Sequence, residues 1–395
     1  MPFRISPEPL RLCRTDDTQE NDERVIRLGP AICEFFRAII ELYHTDERVR
    51  LLLDKGKPEC YKNRATETYL FLRPDLILTP EGFFVCEIET SPFGLGIAEM
   101  LNRAYSDCGF DTIVARERFQ EYVQEHTTPN GVIAYSEKVI ANAGQLHYLA
   151  DRIFSGKERK WVAKKIDESF SREPDTLYRA FYLYEAIVDK NVQKIVERNA
   201  HFIPSLTPQF EEKALLTFIW DKRFEPHFRA QLGSATFNFL REILPPAWIV
   251  GEEQHFAPGL PGGINSTADI ASISQSKRKW VLKQSGFGEH SSWGEGVTFL
   301  HKVTRPVLEA KLQEACSSQD LLYICQEFRD GVKRPTSYYA ENGDVLWMNA
   351  RVRLCMYYAN MGVNVGDIIA AWATCCDDGP FVHGKANSVN TAVVV

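Results

Sequence analysis

Arg73 and Asp75, in Leu72-Arg73-Pro74-Asp75-Leu76-Ile77-Leu78, stand shortly before Glu87 and Glu89, in Val85-Cys86-Glu87-Ile88-Glu89. Both segments are rich in Leu, Ile and Val and read as strands, with Thr79-Pro80-Glu81-Gly82 as the turn between them. A loop from Pro80 to Gly82, with Gly82 left-handed, predicts Thr79 opposite Phe83. That register sets Asp75 opposite Glu87 and Arg73 opposite Glu89, all on one face because strand side chains alternate with period two. Like charges held opposite one another are destabilising, so the cluster calls for a cation or an unusual proton affinity. Arg73 supplies one positive charge, and a hard, oxygen-seeking ion such as Mg2+ would supply the rest. A solvated acidic hairpin has the same spacing, and spacing alone does not separate the two readings.

Lys283 offers a second chemistry. It closes the strand Trp280-Val281-Leu282-Lys283 and is followed by a loop containing Gly286, Gly288, Gly294 and Gly296. Glycines let backbone amides approach a polyanion closely, and a strand-end lysine can bridge phosphate oxygens. No Gly-Lys-Ser/Thr ends the loop, so it is not a Walker A motif, and it is not the dinucleotide fingerprint. Read alone it is a weak signal that an ordinary flexible hairpin matches better; beside the carboxylate–arginine group it suggests one site for metal and one for a triphosphate. After the next helix, Ile324-Cys325-Gln326-Glu327-Phe328 reads as a buried strand with a polar end. Gln326 and Glu327 there could meet an adenine or ribose, although Glu327 is also a plausible strand cap.

These groups need a scaffold, and the chain reads as α+β or α/β. Residues 24–44 carry a helical stripe of Val25, Leu28, Ile32, Phe35, Phe36, Ile39, Ile40 and Tyr43. A turn at Ser91 to Gly96 precedes a helix from Ile97 to Cys108. Gly131–Tyr135 reads as a strand and Ala143 to Phe154 as its helix, a Rossmann-like step without the glycine signature. Asp175 to about Leu244 is mainly helical, with the aromatics of Leu177–Tyr184 as core. Pro245-Pro246 and the run Ala257–Gly263 punctuate the chain, and α/β pattern returns with helix 307–315 and strand 322–326. This suggests three parts: 1–130 with the carboxylate hairpin, 131–256 with the Rossmann-like and helical regions, and 264–395 with the lysine and glycine loop.

Bulk properties narrow the function. A net charge of −7 gives no general nucleic-acid-binding surface, and the basic cluster of Lys157 to Lys165 reads as a solvated helix face. No stretch has the length of a spanning helix, and Met1-Pro2-Phe3-Arg4 lacks a signal core, so no membrane association is expected. Ten cysteines at irregular spacings, without Cys-x-x-Cys, suggest reduced thiols and a cytoplasmic setting.

Arg-x-Asp, then Glu-x-polar, then a strand-end lysine with a glycine loop, then a strand containing glutamine, resembles ATP-grasp enzymes of the glutathionylspermidine-synthase type. The resemblance covers about 73–108 and 280–395, with the acidic cluster ahead of the lysine as in that group. It implies an ATP-grasp fold, ATP and Mg2+ as cofactors, and small-molecule or peptide carboxylates and amines as substrates. By the same resemblance Asp75, Glu87 and Glu89 are magnesium ligands, Arg73 the transition-state cation and Lys283 the phosphate lysine. Two positions depart from the family pattern. Glu89 stands where the family usually has Asn, and the region 240–248, searched for a second nucleotide lysine, offers only Arg241.

Arg351 and Arg353 share one face of a probable strand, and either the grip on a carboxylate or a structural ion pair would suit them; Arg353 is the one assigned to the site. His383-Gly384-Lys385-Ala386-Asn387 is polar and turn-like and could line the site. No Gly-x-Ser-x-Gly elbow appears. The expected activity is ATP-dependent ligation of a carboxylate to an amine or other nucleophile through an acyl-phosphate. The alternatives are a nucleotide-binding regulatory or scaffold protein without turnover, and an ATP-grasp phosphotransferase.

Overall fold

The computed structural model describes residues 4–12, 20–62, 69–91, 93–170, 176–198, 200–260, 264–292, 294–377, 379, 382 and 387–394. The segment His383 to Ala386 and the end of the 257–263 run lie outside the described residues. No helix among the described residues is long and apolar enough to cross a membrane.

The carboxylate hairpin forms, with Phe71–Thr79 antiparallel to Gly82–Glu89. It closes one edge of a seven-stranded sheet. From that edge the order is Gly82–Glu89, Phe71–Thr79, Val345–Ala359, Ile368–Cys376, Val389–Thr391 and Arg4–Ile5, with Lys333–Tyr339 paired to the outer half of Val345–Ala359. Alternation splits the hairpin cleanly. Leu72, Leu76 and Leu78 face a core shared with the long helix Glu20–Thr45, whose stripe is buried as the periodicity predicts. Phe71, Arg73, Asp75 and Ile77 take the other face, where Phe71 and Tyr357 join a second core beneath the Rossmann-like unit.

That unit is a four-stranded parallel sheet ordered Lys160–Lys165, Asn130–Tyr135, Thr176–Ala180, His201–Ile203. Two expectations change here. The basic cluster is an edge strand rather than a helix face: Trp161 is buried while Lys160 and Lys164 are exposed, a period of two. The middle region is helical between strands, since Thr176–Ala180 and His201–Ile203 interrupt it before the helix Glu225–Ile243. Leu177, Tyr178, Phe181 and Leu183 are core, as expected.

A third sheet, antiparallel throughout, runs Val297–Phe299, Trp280–Gln284, Tyr323–Glu327, Ala247–Ile249. It carries Lys283 and Gln326 on one face of neighbouring strands, diagonally, since Lys283 pairs with Ile324 and Val281 with Gln326, and the glycine loop joins its first two strands.

Candidate functional site

The hairpin reaches its register by a route the sequence does not show. The turn is one residue tighter than expected, pairing Thr79 with Gly82, and Gly82 sits at φ 134°, a conformation that favours glycine. Unbroken, that register would set Asp75 against Cys86 and turn both glutamates to the opposite face. A bulge at Cys86 restores Asp75 opposite Glu87 and Arg73 opposite Glu89. The bulge also frees the Cys86 carbonyl to accept from Lys283 Nζ at 3.0 Å.

Charges then interlock. Arg73 Nε donates to Asp75 Oδ1 at 2.7 Å, and Arg353 Nη1 lies 3.3 Å from Asp75 Oδ2, so the fully buried Asp75 is held by two guanidiniums. Arg73 Nη2 stands 3.8 Å from Glu89 Oε1, and Ser91 donates to Glu89 Oε2 at 2.6 Å. Lys213 Nζ is 3.6 Å from Glu87 Oε2. Burial pushes the Glu87 carboxyl up, but Lys213, Lys283, Arg353 and Arg73 outweigh it and bring it to about 2. Lys283 Nζ also donates to Gln326 Oε1 at 2.7 Å, and burial lowers its pKa from the ordinary lysine value despite Cys86 and Glu87 nearby.

All this faces a cavity of ≈ 470 Å³ lined by Arg73, Glu87, Glu89, Lys213, Lys283 and Arg353. Of the expected nucleotide residues, Gly294, Gln326 and Glu327 line it as well, and Gly286 lines a small adjoining pocket with Glu87, Glu89 and Lys213. Gly288 and Gly296 lie inside the loop instead: a Cβ on Gly288 would come within 2.2 Å of Gln284 Nε2, and one on Gly296 within 2.6 Å of the His290 carbonyl. At one end of the cavity Val281, Phe299 and Phe328 form an apolar wall, with the two phenyl rings edge to face at 5.6 Å. The backbone N–H groups of Glu327 and Phe328 donate to Pro246 and Lys279 carbonyls, and Glu327 pairs with Arg329 at 2.9 Å. Gln326 Nε2 is buried without a hydrogen-bond partner, its amide oriented by Lys283, so at this strand end a side-chain donor rather than the backbone amides is left open toward the cavity.

Arg351 is spent on Asp330 at 2.8 Å and does not line the cavity, which separates it from Arg353. Arg241 lies over the Trp220 ring at 4.4 Å and pairs with Glu225, away from the site. A second lysine does line the cavity: Lys213, which the sequence reading missed. It precedes the apolar run Ala214–Trp220 and has no local signature. Its place depends on contacts made far along the chain, since Nζ donates to the carbonyls of Ser285 and Ser291 at 3.3 and 2.8 Å.

Four cations, Arg73, Arg353, Lys213 and Lys283, thus stand against three carboxylates, a donor set that fits a polyanion. Among the described residues no three His, Cys, Asp or Glu side chains are grouped to hold a metal ion by themselves. Both oxygens of Asp75 are engaged by arginine, leaving Glu87 and Glu89 at the cavity face. One or two carboxylates completed by phosphate oxygens is how magnesium is usually bound, so these residues fit an ion that arrives with a polyphosphate.

No family model matches the sequence. No curated protein matches it either. The fold has counterparts among solved structures. A glutathione synthetase-like effector (GSS30) from Globodera pallida, in its apo form, superposes with a TM-score of 0.55 at 13% identity, covering 100% of this chain and 90% of the other. D-alanyl-alanine synthetase A from Vibrio cholerae O1 gives a TM-score of 0.26 at 8% identity over 64% of this chain and 86% of its own. The chain has a mixed α+β, ATP-grasp-like fold.

Proposed function

We propose that this protein is an ATP-dependent ligase that joins a carboxylate to an amine or another nucleophile through an acyl-phosphate. The observation that carries the reading is the convergence of Lys213, Lys283, Arg73 and Arg353 on one cavity beside the glycine loop, with Glu87 and Glu89 among them. A substrate carboxylate oxygen attacks the γ-phosphorus of ATP, ADP departs, and an acyl-phosphate forms. The nucleophile then attacks the acyl carbon, its proton is lost to solvent or phosphate, and inorganic phosphate leaves. Such chemistry asks for charge neutralisation and positioning more than covalent help from the protein. Lys213 and Lys283 bind phosphate oxygens, Arg73 and Arg353 hold the reacting carboxylate against the γ-phosphate, and Asp75 anchors both guanidiniums. Glu87 and Glu89 would hold magnesium, which would supply charge neutralisation to the phosphates. Gly286 and Gly294 let the loop close over the intermediate and keep water from it.

A second reading is a nucleotide-binding protein without turnover. The engagement of Asp75 by two arginines favours it, as does Glu89 in place of Asn, and the structural counterpart that covers the whole chain at a TM-score of 0.55 is itself described as an effector. Incubation with MgATP, hydroxylamine and pooled amino acids and small peptides separates the readings. A ligase gives hydroxamate and ADP in step; nucleotide binding with no ADP identifies the second reading; a stable phosphoester identifies a phosphotransferase.

A further inference from the structure

Lys57 and Glu212 form an ion pair at 2.6 Å with side chains 0% and 3% exposed. Neither lines the cavity, and no step of the proposed chemistry uses them. A buried pair of this kind is often no more stabilising than two apolar side chains of like volume, so its position is what needs explaining. Glu212 immediately precedes Lys213. Its carboxylate also lies where a Cβ on Gly286 would point, within 2.6–2.9 Å, so a larger residue there would have to displace Glu212 from Lys57. Its second oxygen is buried without a partner. Lys57 Nζ lies 5.8 Å from the Phe287 ring, which Tyr61 meets edge-on at 5.6 Å. The two peptides that follow Glu212 are tied to the loop base as well: the Lys213 N–H donates to Ser285 O at 3.2 Å and the Ala214 N–H to Ser285 Oγ at 2.8 Å.

We propose that the Lys57–Glu212 pair is a positioning device that sets the base of the glycine loop and the Lys213 ammonium relative to each other. Lys57 fixes the rotamer of Glu212, the carboxylate sets how near the Gly286 backbone can come, and Ser285 is tied to the peptide that carries Lys213. Two phosphate-binding elements distant in sequence are thereby held at one spacing. The inference rests on the cavity being a polyphosphate site.

The test is the double variant Lys57→Met/Glu212→Leu in the full chain. Binding of a magnesium-bound, non-hydrolysable ATP analogue is followed by calorimetry, stability by thermal melting, and amide exchange without ligand. The expected result is a melting temperature close to the parent's, analogue affinity at least about tenfold weaker, and faster exchange confined to Lys213, Ala214 and the loop base. Parent-like affinity and exchange in the double variant would overturn the proposal. Should the double variant fail to fold, Gly286→Ala decides: it is expected to weaken the analogue by a like factor, with recovery when combined with Glu212→Asp. A Gly286→Ala protein that binds as the parent does overturns the proposal equally. If the parent itself binds no nucleotide, the ATP reading fails, and the exchange arm still decides whether the pair positions the loop.

Discussion

Lys283 is under opposing demands: burial disfavours its ammonium, while a phosphate would need it charged. Its pKa is lower in the folded protein than in the unfolded chain, so without ligand, stability rises with pH between the lowered and the ordinary value. A bound polyanion pulls the other way and takes up a proton, so analogue affinity should fall as pH climbs through that window. Calorimetric titration at increasing pH checks this, and the dependence should vanish in Lys283→Arg. Lys283→Ala should cost about 2–3 kcal/mol of nucleotide affinity by losing a desolvated, charge-assisted contact. Glu87 behaves oppositely. Its carboxyl is held down at about 2 from 4.5, so it contributes stability above the higher value that is lost as pH falls toward the lower. Glu87→Gln should therefore melt below the parent at neutral pH, with the gap closing in acid. It should also remove magnesium-dependent turnover while leaving the hairpin folded, which ADP release and circular dichroism would show.

The glycine loop tests the site at the scale of an element. Lys213 holds it by the carbonyls of Ser285 and Ser291, and Lys138 reaches it through Glu289 at 3.1 Å. A polyphosphate would compete for Lys213, so the loop should exchange its contacts and become ordered over the ligand. Hydrogen exchange over 286–296 should slow on adding magnesium–ATP, and unchanged exchange at saturation would remove the cradle role. Much at this scale was legible because it is local. The helix of 20–45, the hairpin strands, and the lysine strand with its loop follow from periodicity and turn chemistry. The Cys86 bulge was not, because a bulge inserts one residue without changing composition. An expected turn one residue too long and an unforeseen bulge offset each other, so Asp75 meets Glu87 for a reason the sequence does not display. Lys213 and the Lys57–Glu212 pair escaped for a related reason. Their partners lie far along the chain, and a single lysine beside an apolar run carries no sign of them.

At the scale of the whole molecule the sheet that carries the carboxylates is built from both ends of the chain. Phe71–Thr79 pairs with Val345–Ala359 through Arg353↔Ile77 and Cys355↔Asp75, which is how Arg353 comes to share Asp75 with Arg73. Arg4–Ile5 lies against Val389–Asn390, and Leu10–Arg11 against Val393–Val394. The site therefore does not belong to one stretch of sequence: Glu87 and Glu89, Lys213 and Lys283, and Arg353 come from separate regions that meet only in the finished fold. A fragment spanning 264–395 would leave Arg353–Ala359 without the backbone partners that Phe71–Ile77 supplies on one side. It would also uncover Leu354, Met356 and Tyr358, which are buried against the N-terminal helix and hairpin. Exposed strand edges and apolar faces of that kind favour association over a unique fold. The fragment alone should thus give no cooperative thermal transition. Co-expression with residues 1–263 should restore both the transition and analogue binding, because the missing strand and the second lysine then return together. A cooperative melt of 264–395 by itself would mean that the C-terminal part folds independently and that the shared sheet is an assembly of preformed pieces.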